Sequence, residues 1–345
     1  MSNMPTSRLV LMGDPTYFSI RGGANPHTRT LWGRRKTVNR KKAITQWHAF
    51  ARLLGDFGVR VLVVPPDPAL PGLVYPANAG FLFPLEATTP VTTKCFHLAN
   101  LLPSRAGEQE VYARVLQSCG FPIGHLQARF EGEADFFPVG DRYLFTYGRI
   151  ESQRFRLRVG LPPYERVYGF RSEVSALDEL QQIVGERGVL PLELRNEAYY
   201  HGDTLLCAFG PNLRFLLAYL PALTPESVTR LSSVMTDEII ALSTADAALY
   251  AANSFALSTD RGHFLFVPAG VSSRLVAQIR ERGVEPVTIE VSEFLRKGGG
   301  AVKCMIGDVG PDSDTGVTPV QSAFRRERDY RTLFPAERSR SEWQA

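Results

Sequence analysis

The sequence has few cysteines, no apolar run long enough to cross a bilayer and little net charge. Its four cysteines in 345 residues, at positions 95, 119, 207 and 304, include no Cys-x-x-Cys pair, which argues against a disulfide framework or a zinc knuckle. The N-terminal residues Met1–Arg8 lack the charged-then-apolar order of a signal peptide. We therefore expect a cytoplasmic protein with reduced thiols and no membrane partner.

The formal net charge of +4 is too small to indicate a nucleic-acid-binding protein. One basic cluster, Arg34–Lys42, contains no interleaved aromatic residues, and such clusters are usually solvated faces, with a polyanion site as the alternative. We expect no nucleic-acid partner. The length and ordinary composition permit a large core, either as one α/β domain or as two smaller domains.

A run of three glycines, Gly298–Gly300, leads within four residues to Cys304. Glycine allows a backbone to approach a ligand closely and to adopt positive φ, so such a run often shapes a pocket wall. A thiol delivered to that wall is a candidate nucleophile. The alternative is a buried structural cysteine, because free cysteine is among the most buried residue types.

A helix followed by a strand recurs along the chain, usually with a glycine between them. Apolar residues at three-and-four spacing predict an amphipathic helix over 43–54, and Gly58 and a strand over 59–64 follow it. Similar units are predicted within 111–126, 174–194, 225–242 and 271–289, with additional strands at 8–12, 142–146 and 264–268. The recurrence indicates an α/β protein with internal repetition. A doubly wound sheet is the alternative, and the additional strands weigh against it.

Polar residues follow the strand of each predicted unit at a short distance. In a pseudo-symmetric ring these five connections would meet at one end and line a site. They carry Asn78, Glu131 with Asp135, His201 with Asp203, Asn253, and Cys304.

Several of these side chains have the chemistry of a nucleophilic site. Cys304 is the candidate thiolate and His201 the candidate acid and base, since histidine titrates nearest to neutral pH. The carboxylates of Glu131, Asp135 and Asp203 are either solvated loop charges or a cluster that needs a cation. Their spacing fits no recognisable zinc or two-metal pattern. A planar guanidinium with its fork of donors suits paired carboxylates better.

The ordered motifs resemble the guanidine-modifying enzyme superfamily, which includes dimethylarginine dimethylaminohydrolases, arginine deiminases, arginine dihydrolases and amidinotransferases. The resemblance covers about residues 8 to 310. It implies the pentein fold, a five-bladed α/β propeller of pseudo-symmetric ββαβ repeats, as a single catalytic domain over residues 1–310, followed by a polar, arginine-rich extension over 311–345. The motifs are Asn25-Pro26, Asn78-Ala79-Gly80, Arg105 with Glu108, Glu131-Gly132-x-Ala134-Asp135, His201-x-Asp203, and Gly298-Gly299-Gly300 leading to Cys304-Met305.

The resemblance also implies roles for these residues. Cys304 attacks the guanidinium carbon, and His201 protonates the leaving amine and then activates water. Glu131 orients the histidine, and Asp203 holds the guanidinium nitrogens, with Asp135 as a weaker candidate for that contact. No cofactor or metal is implied. The residues implied to contact the amino-acid end of a substrate are Asn25, Asn78 and Arg105.

The chain departs from the superfamily pattern at several positions. The branch that binds free arginine-like amino acids usually has Arg-Thr-Ser after the second-blade strand, whereas this chain has Arg149-Ile150-Glu151-Ser152, so the arginine is displaced by one or lost. Gly202 stands where a larger residue is usual, which would enlarge or reshape the pocket, and Lys303 replaces a common arginine. The extension beyond residue 311 is compatible with a disordered segment, a lid or a contact surface.

The resemblance predicts a cysteine hydrolase that cleaves a C–N bond of a small guanidino compound, arginine or a substituted arginine, through a covalent amidino-cysteine intermediate. An amidinotransferase, which passes the amidino group to an amine, is the first alternative. A catalytically silent binding protein with the same fold is the second, because a fold alone does not imply a function. A homodimer is compatible with the sequence.

Overall fold

The computed structural model describes residues 7–22, 25–86 and 89–338. The other residues of the predicted catalytic domain (1–310) and of the predicted extension (311–345) lie outside the described residues. The α/β class is confirmed. The strands of the described residues are β1 Arg8–Gly13, β2 Arg60–Val64, β3 Gly80–Phe83, β4 Cys95–Leu98, β5 Ile123–His125, β6 Phe136–Val139, β7 Arg142–Tyr147, β8 Arg154–Leu157, β9 Tyr164–Val167, β10 Val189–Glu193, β11 Leu206–Phe209, β12 Phe215–Ala218, β13 Ile239–Ala241, β14 Phe255–Thr259, β15 Gly262–Pro268, β16 Val284–Ile289 and β17 Gly307–Pro311. The helices are α1 Arg40–Asp56, α2 Glu108–Ser118, α3 Ala176–Val184, α4 Pro225–Val234, α5 Thr244–Ala248, α6 Ser273–Arg280, α7 Ser292–Gly298, α8 Pro319–Arg328, α9 Tyr330–Leu333 and α10 Pro335–Arg338.

Five three-stranded sheets share one connectivity. In each sheet the first strand pairs antiparallel with the second, and a helix then leads to a third strand that is parallel to the second. The predicted helix–strand units are therefore confirmed. The sheet orders are β17-β1-β2, β3-β4-β5, β6-β7-β10, β11-β12-β13 and β14-β15-β16.

The helix–strand junctions form for the local reasons predicted. Asn39 caps α1, because its side chain accepts a hydrogen bond from the N–H of Lys42. The apolar stripe of α1, which includes Trp47 and Phe50, is buried in the core. The glycines predicted at the junctions all adopt positive φ, as a helix C-terminus followed by a turn requires. They are Gly58, Gly120, Gly188 and Gly283.

The fold positions the candidate site through the connections between sheets. Each third strand (β2, β5, β10, β13 and β16) leads to the first strand of another sheet (β3, β6, β11, β14 and β17). Four of these connections contain a short 3-10 turn. Each turn contacts at least one of the others, so the loops gather at one place. The turns are Pro76–Asn78, Gly132–Ala134, Gly202–Thr204 and Lys303–Met305.

An inserted hairpin, β8–β9, interrupts the third repeat between β7 and α3. The two ends of this insertion lie side by side. The N–H of Gly148 donates to the carbonyl of Ser172, and the N–H of Phe170 donates to the carbonyl of Arg149. All four residues of β8 are exposed. The sequence analysis predicted no strands in this segment.

The C-terminal helices lie on the surface of the first two repeats. Helix α8 contacts β2 and α2, and the fully buried Arg325 donates from Nε to the carbonyl of Cys119 at 2.9 Å. Asp329 forms an ion pair with Arg60 at 3.0 Å. Within the described ranges, no helix combines the length and apolar character needed to cross a bilayer.

Candidate active site

The glycine run makes room for neighbouring side chains. A Cβ at Gly298 would lie 1.8 Å from the Tyr75 hydroxyl oxygen, and a Cβ at Gly300 would lie 2.6 Å from the Tyr75 ring. Gly299 ends α7 with φ of +84°, where a side chain would be strained. The glycines were expected to allow a ligand to approach; in the structure Gly298 and Gly300 lie against the side chain of Tyr75, and Gly299 lies against that of Asn25.

Asn253 holds Cys304 in place. Its Oδ1 accepts hydrogen bonds from the backbone N–H groups of Ala301 (2.9 Å) and Cys304 (3.1 Å), and its Nδ2 donates to the Cys304 Sγ at 3.1 Å. Cys304 is only 3% exposed. Burial, followed by the charge of Asp203, raises the pKa of the Cys304 thiol well above its usual range. The thiol is therefore protonated at neutral pH until a cation lies beside it.

His201 and Glu131 form a buried ion pair, with Nε2 and Oε2 2.9 Å apart. Burial alone would raise the pKa of Glu131, but the hydrogen bond and charge of His201, together with Arg105 and Arg171, lower it to about 2. Burial likewise opposes the charged imidazole, yet Asp135 and Glu131 raise the pKa of His201. The pair thus favours the charged imidazolium, and Nδ1 is the ring nitrogen that Glu131 leaves available.

The two aspartates differ in what surrounds them. Asp203 Oδ2 accepts from the Cys304 Sγ at 3.4 Å, and burial, with the nearby charge of Asp135, raises the pKa of Asp203 to about 6. Asp135 instead accepts three protein hydrogen bonds, from the Thr146 hydroxyl (2.6 Å), the Ser172 hydroxyl (2.7 Å) and the N–H of Gly202 (2.9 Å). Protein donors therefore occupy both oxygens of Asp135, whereas Asp203 keeps one oxygen for a ligand.

Gly202 does not enlarge the pocket, contrary to expectation. A Cβ at this position would lie 2.3 Å from the Thr146 Oγ1. The space that a larger residue would need is filled by the Thr146 side chain, which is fully buried and bonded to Asp135.

Arg105 connects Asn78 to the catalytic side of the site. Its guanidinium donates to Asn78 Oδ1 at 2.9 Å, lies 3.7 Å from Glu131 Oε2, and forms a bidentate pair with Glu108. Asn25 lies on the glycine run, where its Nδ2 donates to the carbonyl of Gly298 at 2.9 Å. Among the predicted substrate contacts, Asn78 is thus joined to the catalytic residues through Arg105, and Asn25 to the segment that leads to Cys304.

Four buried side-chain atoms of these loops have no hydrogen-bond partner among the described residues. Buried polar groups in native proteins are rarely unpaired, so these atoms are available to a ligand or to water. Two of the atoms are carboxylate oxygens that accept hydrogen bonds, which suits a donor-rich cation. The part of the chain that the structure describes contains no group of three or more His, Cys, Asp or Glu side chains arranged to hold a metal ion. The atoms are Asn78 Nδ2, Glu131 Oε1, His201 Nδ1 and Asp203 Oδ1.

Arg149, described in the sequence analysis as displaced by one from the superfamily pattern or lost, does not reach the site. The Arg149 side chain is 84% exposed and pairs with Glu151. Hairpin β8–β9 follows, and the chain returns to the site only at Arg171 and Ser172. Arg171 is buried, with its guanidinium 5.3 Å from the ring of Tyr200, and its charge helps to lower the pKa of Glu131.

Sequence comparisons found related proteins. The family model described as "N,N dimethylarginine dimethylhydrolase, eukaryotic" matches residues 177–310. A dimethylarginine dimethylaminohydrolase of Mycobacterium tuberculosis is 28% identical over 307 residues, which are 89% of this chain and 87% of the relative. The bifunctional arginine dihydrolase/ornithine cyclodeaminase AgrE of Nostoc sp. is 28% identical over 305 residues, 87% of this chain but only 38% of the relative.

Solved structures show the same fold. The N-terminal domain of ArgZ, an arginine dihydrolase from the ornithine-ammonia cycle in cyanobacteria, matches with a TM-score of 0.71 and 22% identity, over 88% of this chain and 98% of that domain. A dimethylarginine dimethylaminohydrolase matches with a TM-score of 0.60 and 19% identity, over 88% and 99% of the two chains. The fold, the family model over residues 177–310 and the sequence relatives agree, and all of them make the chain similar to the pentein, dimethylarginine dimethylaminohydrolase-like superfamily.

Proposed function

We propose that the protein is a cysteine hydrolase that cleaves a C–N bond of a guanidino compound, arginine or a substituted arginine, without a cofactor. Four unpartnered buried atoms lie on loops that contact one another and include the Cys304 turn. They carry this conclusion, because two are carboxylate oxygens and one is a nitrogen of His201. We further propose that the five sheets stand as the blades of a propeller around the site, since their connections meet there. The domain boundary at residue 310, the cytoplasmic location and the homodimer stay predictions.

In this proposal the guanidinium lies between Asp203 and Glu131. Asp203 Oδ1 and Glu131 Oε1 accept hydrogen bonds from its nitrogens, and such charge-assisted bonds hold the plane in a fixed orientation. Asn78, Arg105 and Asn25 contact the remainder of the substrate. The bound cation also offsets the charge of Asp203, which lowers the pKa of the Cys304 thiol and lets its proton pass to water.

The first half of the reaction breaks the C–N bond. The Cys304 thiolate attacks the central carbon and forms a C–S bond, which gives a tetrahedral adduct. The protonated His201 donates its Nδ1 proton to the departing nitrogen, which takes the electron pair of the broken C–N bond and leaves as an amine. A cationic amidino-thioether remains on the enzyme, and His201 is neutral.

The second half consumes water. Neutral His201 removes a proton from a water molecule as its oxygen attacks the amidino carbon, and Glu131 stabilises the imidazolium that results. The C–S bond then breaks, its electron pair returns to Cys304 Sγ, and the product loses the hydroxyl proton to become a ureido compound. That proton restores the Cys304 thiol, and the proton first lost by the thiol joins the departed amine, so the sum is one guanidinium cation and one water converted to one ureido product and one ammonium ion.

A panel of guanidino compounds tests this function. We expect ureido product and amine in equal amounts from arginine or methylated arginines, with no increase when glycine or another amine is added. Amidino transfer to the added amine faster than hydrolysis would contradict the proposal and favour an amidinotransferase. Binding without product for every compound would favour a silent binding protein.

The buried Arg171 is proposed to bind the α-carboxylate of the substrate. We expect Arg171→Lys to raise KM for arginine about 10- to 100-fold, because a charge-assisted contact of about 1.5–3 kcal/mol is lost. The KM for agmatine, which has no carboxylate, should change little. Arg149→Lys, at the exposed arginine, is the matched control and should leave both values unchanged. An equal loss with both substrates would contradict this assignment.

The titration of Asp203 should appear in the pH profile. Its pKa of about 6 means that the carboxyl is ionised above pH 6 and neutral below it, and a neutral carboxyl cannot hold the cation. We expect kcat/KM to fall about tenfold per pH unit below pH 6. In Asp203→Asn the value should be low throughout and lack this limb. A wild-type profile that stays flat between pH 5 and 7 would refute the role of Asp203.

A further inference from the structure

A large cavity, here called the rear cavity, reaches the inner side of the site. Its volume is about 640 Å³, and its wall extends from the exposed residues Gly140, Asn212 and Ser258 to the buried Asp203 and the largely buried Lys303. A cavity of this size admits a small organic molecule. Asp203 therefore belongs both to the candidate active site, where it contacts Cys304, and to the wall of the rear cavity.

The segments that supply the site also supply the inner end of the rear cavity. Glu133 lines the cavity and lies in sequence between Glu131 and Asp135 of the site. Lys303 lines it too and immediately precedes Cys304. Glu133 and Lys303 form an ion pair at 2.6 Å. One layer of residues thus separates the reacting atoms from the rear cavity.

The two half-reactions require a second route into the site, besides the one by which the substrate enters. This requirement rests on the proposed function. After the first half-reaction the larger part of the substrate is bonded to Cys304. The amine must leave and water must take its place before the second half begins. Cys304, His201 and Asp203 are each at most 3% exposed, so the covalently held part of the substrate obstructs the way by which it entered.

We propose that the rear cavity is the path by which the leaving amine departs and the hydrolytic water arrives. The amine is small (ammonia, methylamine or dimethylamine), and it becomes an ammonium ion when it takes a proton from water. The wall contains four carboxylates (Glu86, Glu133, Asp203 and Asp308) and three basic side chains (Arg8, Arg187 and Lys303). Arg8 pairs with Glu86 and Asp308, and Lys303 pairs with Glu133, so Asp203 is the carboxylate of the wall that is available to a small cation. The Lys303–Glu133 pair forms the inner boundary that the amine passes.

The proposal predicts that a narrower rear cavity slows turnover, and that the loss is greater for a larger leaving group. Ala256 lines the cavity from β14, and Ala256→Phe would narrow it without touching the site residues. We expect kcat to fall about fivefold or more with asymmetric dimethylarginine, which releases dimethylamine, and less with arginine, which releases ammonia. KM should not rise, and rapid quenching with mass spectrometry should show more of the Cys304 adduct.

The matched control is Ala241→Phe, at an exposed position of β13 that is not part of the cavity wall. It should leave kcat unchanged for both substrates. If Ala256→Phe keeps the wild-type kcat with every leaving group, or loses the same factor with all of them, the proposal is overturned. Thermal unfolding of each variant checks that the comparison is between folded proteins.

A reversible block provides a second test that does not depend on packing inside the cavity. Ser258 lies at the exposed end of the wall, so Ser258→Cys can be modified with a bulky methanethiosulfonate and released with reductant. We expect dimethylarginine turnover to fall on modification beyond any loss in the wild type treated in parallel, and to recover on reduction. No difference from the treated wild type would overturn the proposal. Failure of wild-type enzyme to hydrolyse any guanidino compound would instead refute the proposed function.

Discussion

Cys304→Ala should abolish turnover of every guanidino substrate, with kcat reduced by about 10⁴-fold or more. The reaction proposed here has no other nucleophile within the site, because the remaining groups that contact the reacting atoms are carboxylates, an imidazole and an amide. Substrate binding should persist, since Asp203 and Glu131 are unchanged. Product formation and equilibrium binding of arginine are the two measurements.

A haloamidine inactivator tests the same assignment without a mutation. The cationic amidine should be held by Asp203 and alkylate only the Cys304 sulfur, as peptide mass spectrometry would show. Cys95→Ala, at a thiol in β4 outside the site, is the matched control and should keep full activity and full labelling. Label on Cys95, Cys119 or Cys207 in place of Cys304 would refute the assignment.

His201→Gln should lower kcat by about 10²- to 10⁴-fold, the usual contribution of a positioned acid and base, with little change in KM. Glutamine can still donate a hydrogen bond to Glu131, so the buried carboxylate keeps this partner. Alanine would remove that hydrogen bond, at a cost of about 1–3 kcal/mol of stability. Steady-state kinetics and thermal unfolding separate the catalytic loss from a folding defect.

The exposed His125, at the end of β5, provides the control for this change. His125→Gln should leave kcat and KM at their wild-type values. If His201→Gln raised KM as strongly as it lowered kcat, or changed neither, His201 would be a binding or structural residue. The proton-transfer role would then have to be abandoned.

Much of the fold was predictable because the repeats have strong local signals. Amphipathic spacing identified helix α1, and the glycine after it was found at positive φ, as at Gly58. The site residues were predictable because a cysteine, a histidine and several carboxylates occupy corresponding connections. The structure brings Cys304, His201, Glu131 and Asp203 together, and the catalytic roles stay proposals until they are tested.

Other features gave no usable signal in the sequence. Both faces of β8 are exposed, so its alternation of arginine and apolar residues did not indicate where the chain returns to the site at Arg171. The placement of Asn253 around Cys304 depends on backbone geometry that joins two distant segments. The contact of Tyr75 with the glycine run is equally non-local, because 223 residues separate Tyr75 from Gly298. Such long-range contacts follow from the fold and not from local pattern.

The pairing of β17 with β1 has a consequence for how the protein is made. Val10 of β1 is opposite Asp308 of β17, so the first sheet lacks one of its strands until nearly the whole described chain has left the ribosome. Cys304 lies directly before β17 and therefore emerges at almost the same moment. Closure of the sheet must wait for this contact of high sequence separation. A nascent chain that carries four complete repeats thus has neither its last strand nor Cys304, so the chemistry proposed for Cys304 cannot begin before the first sheet can close.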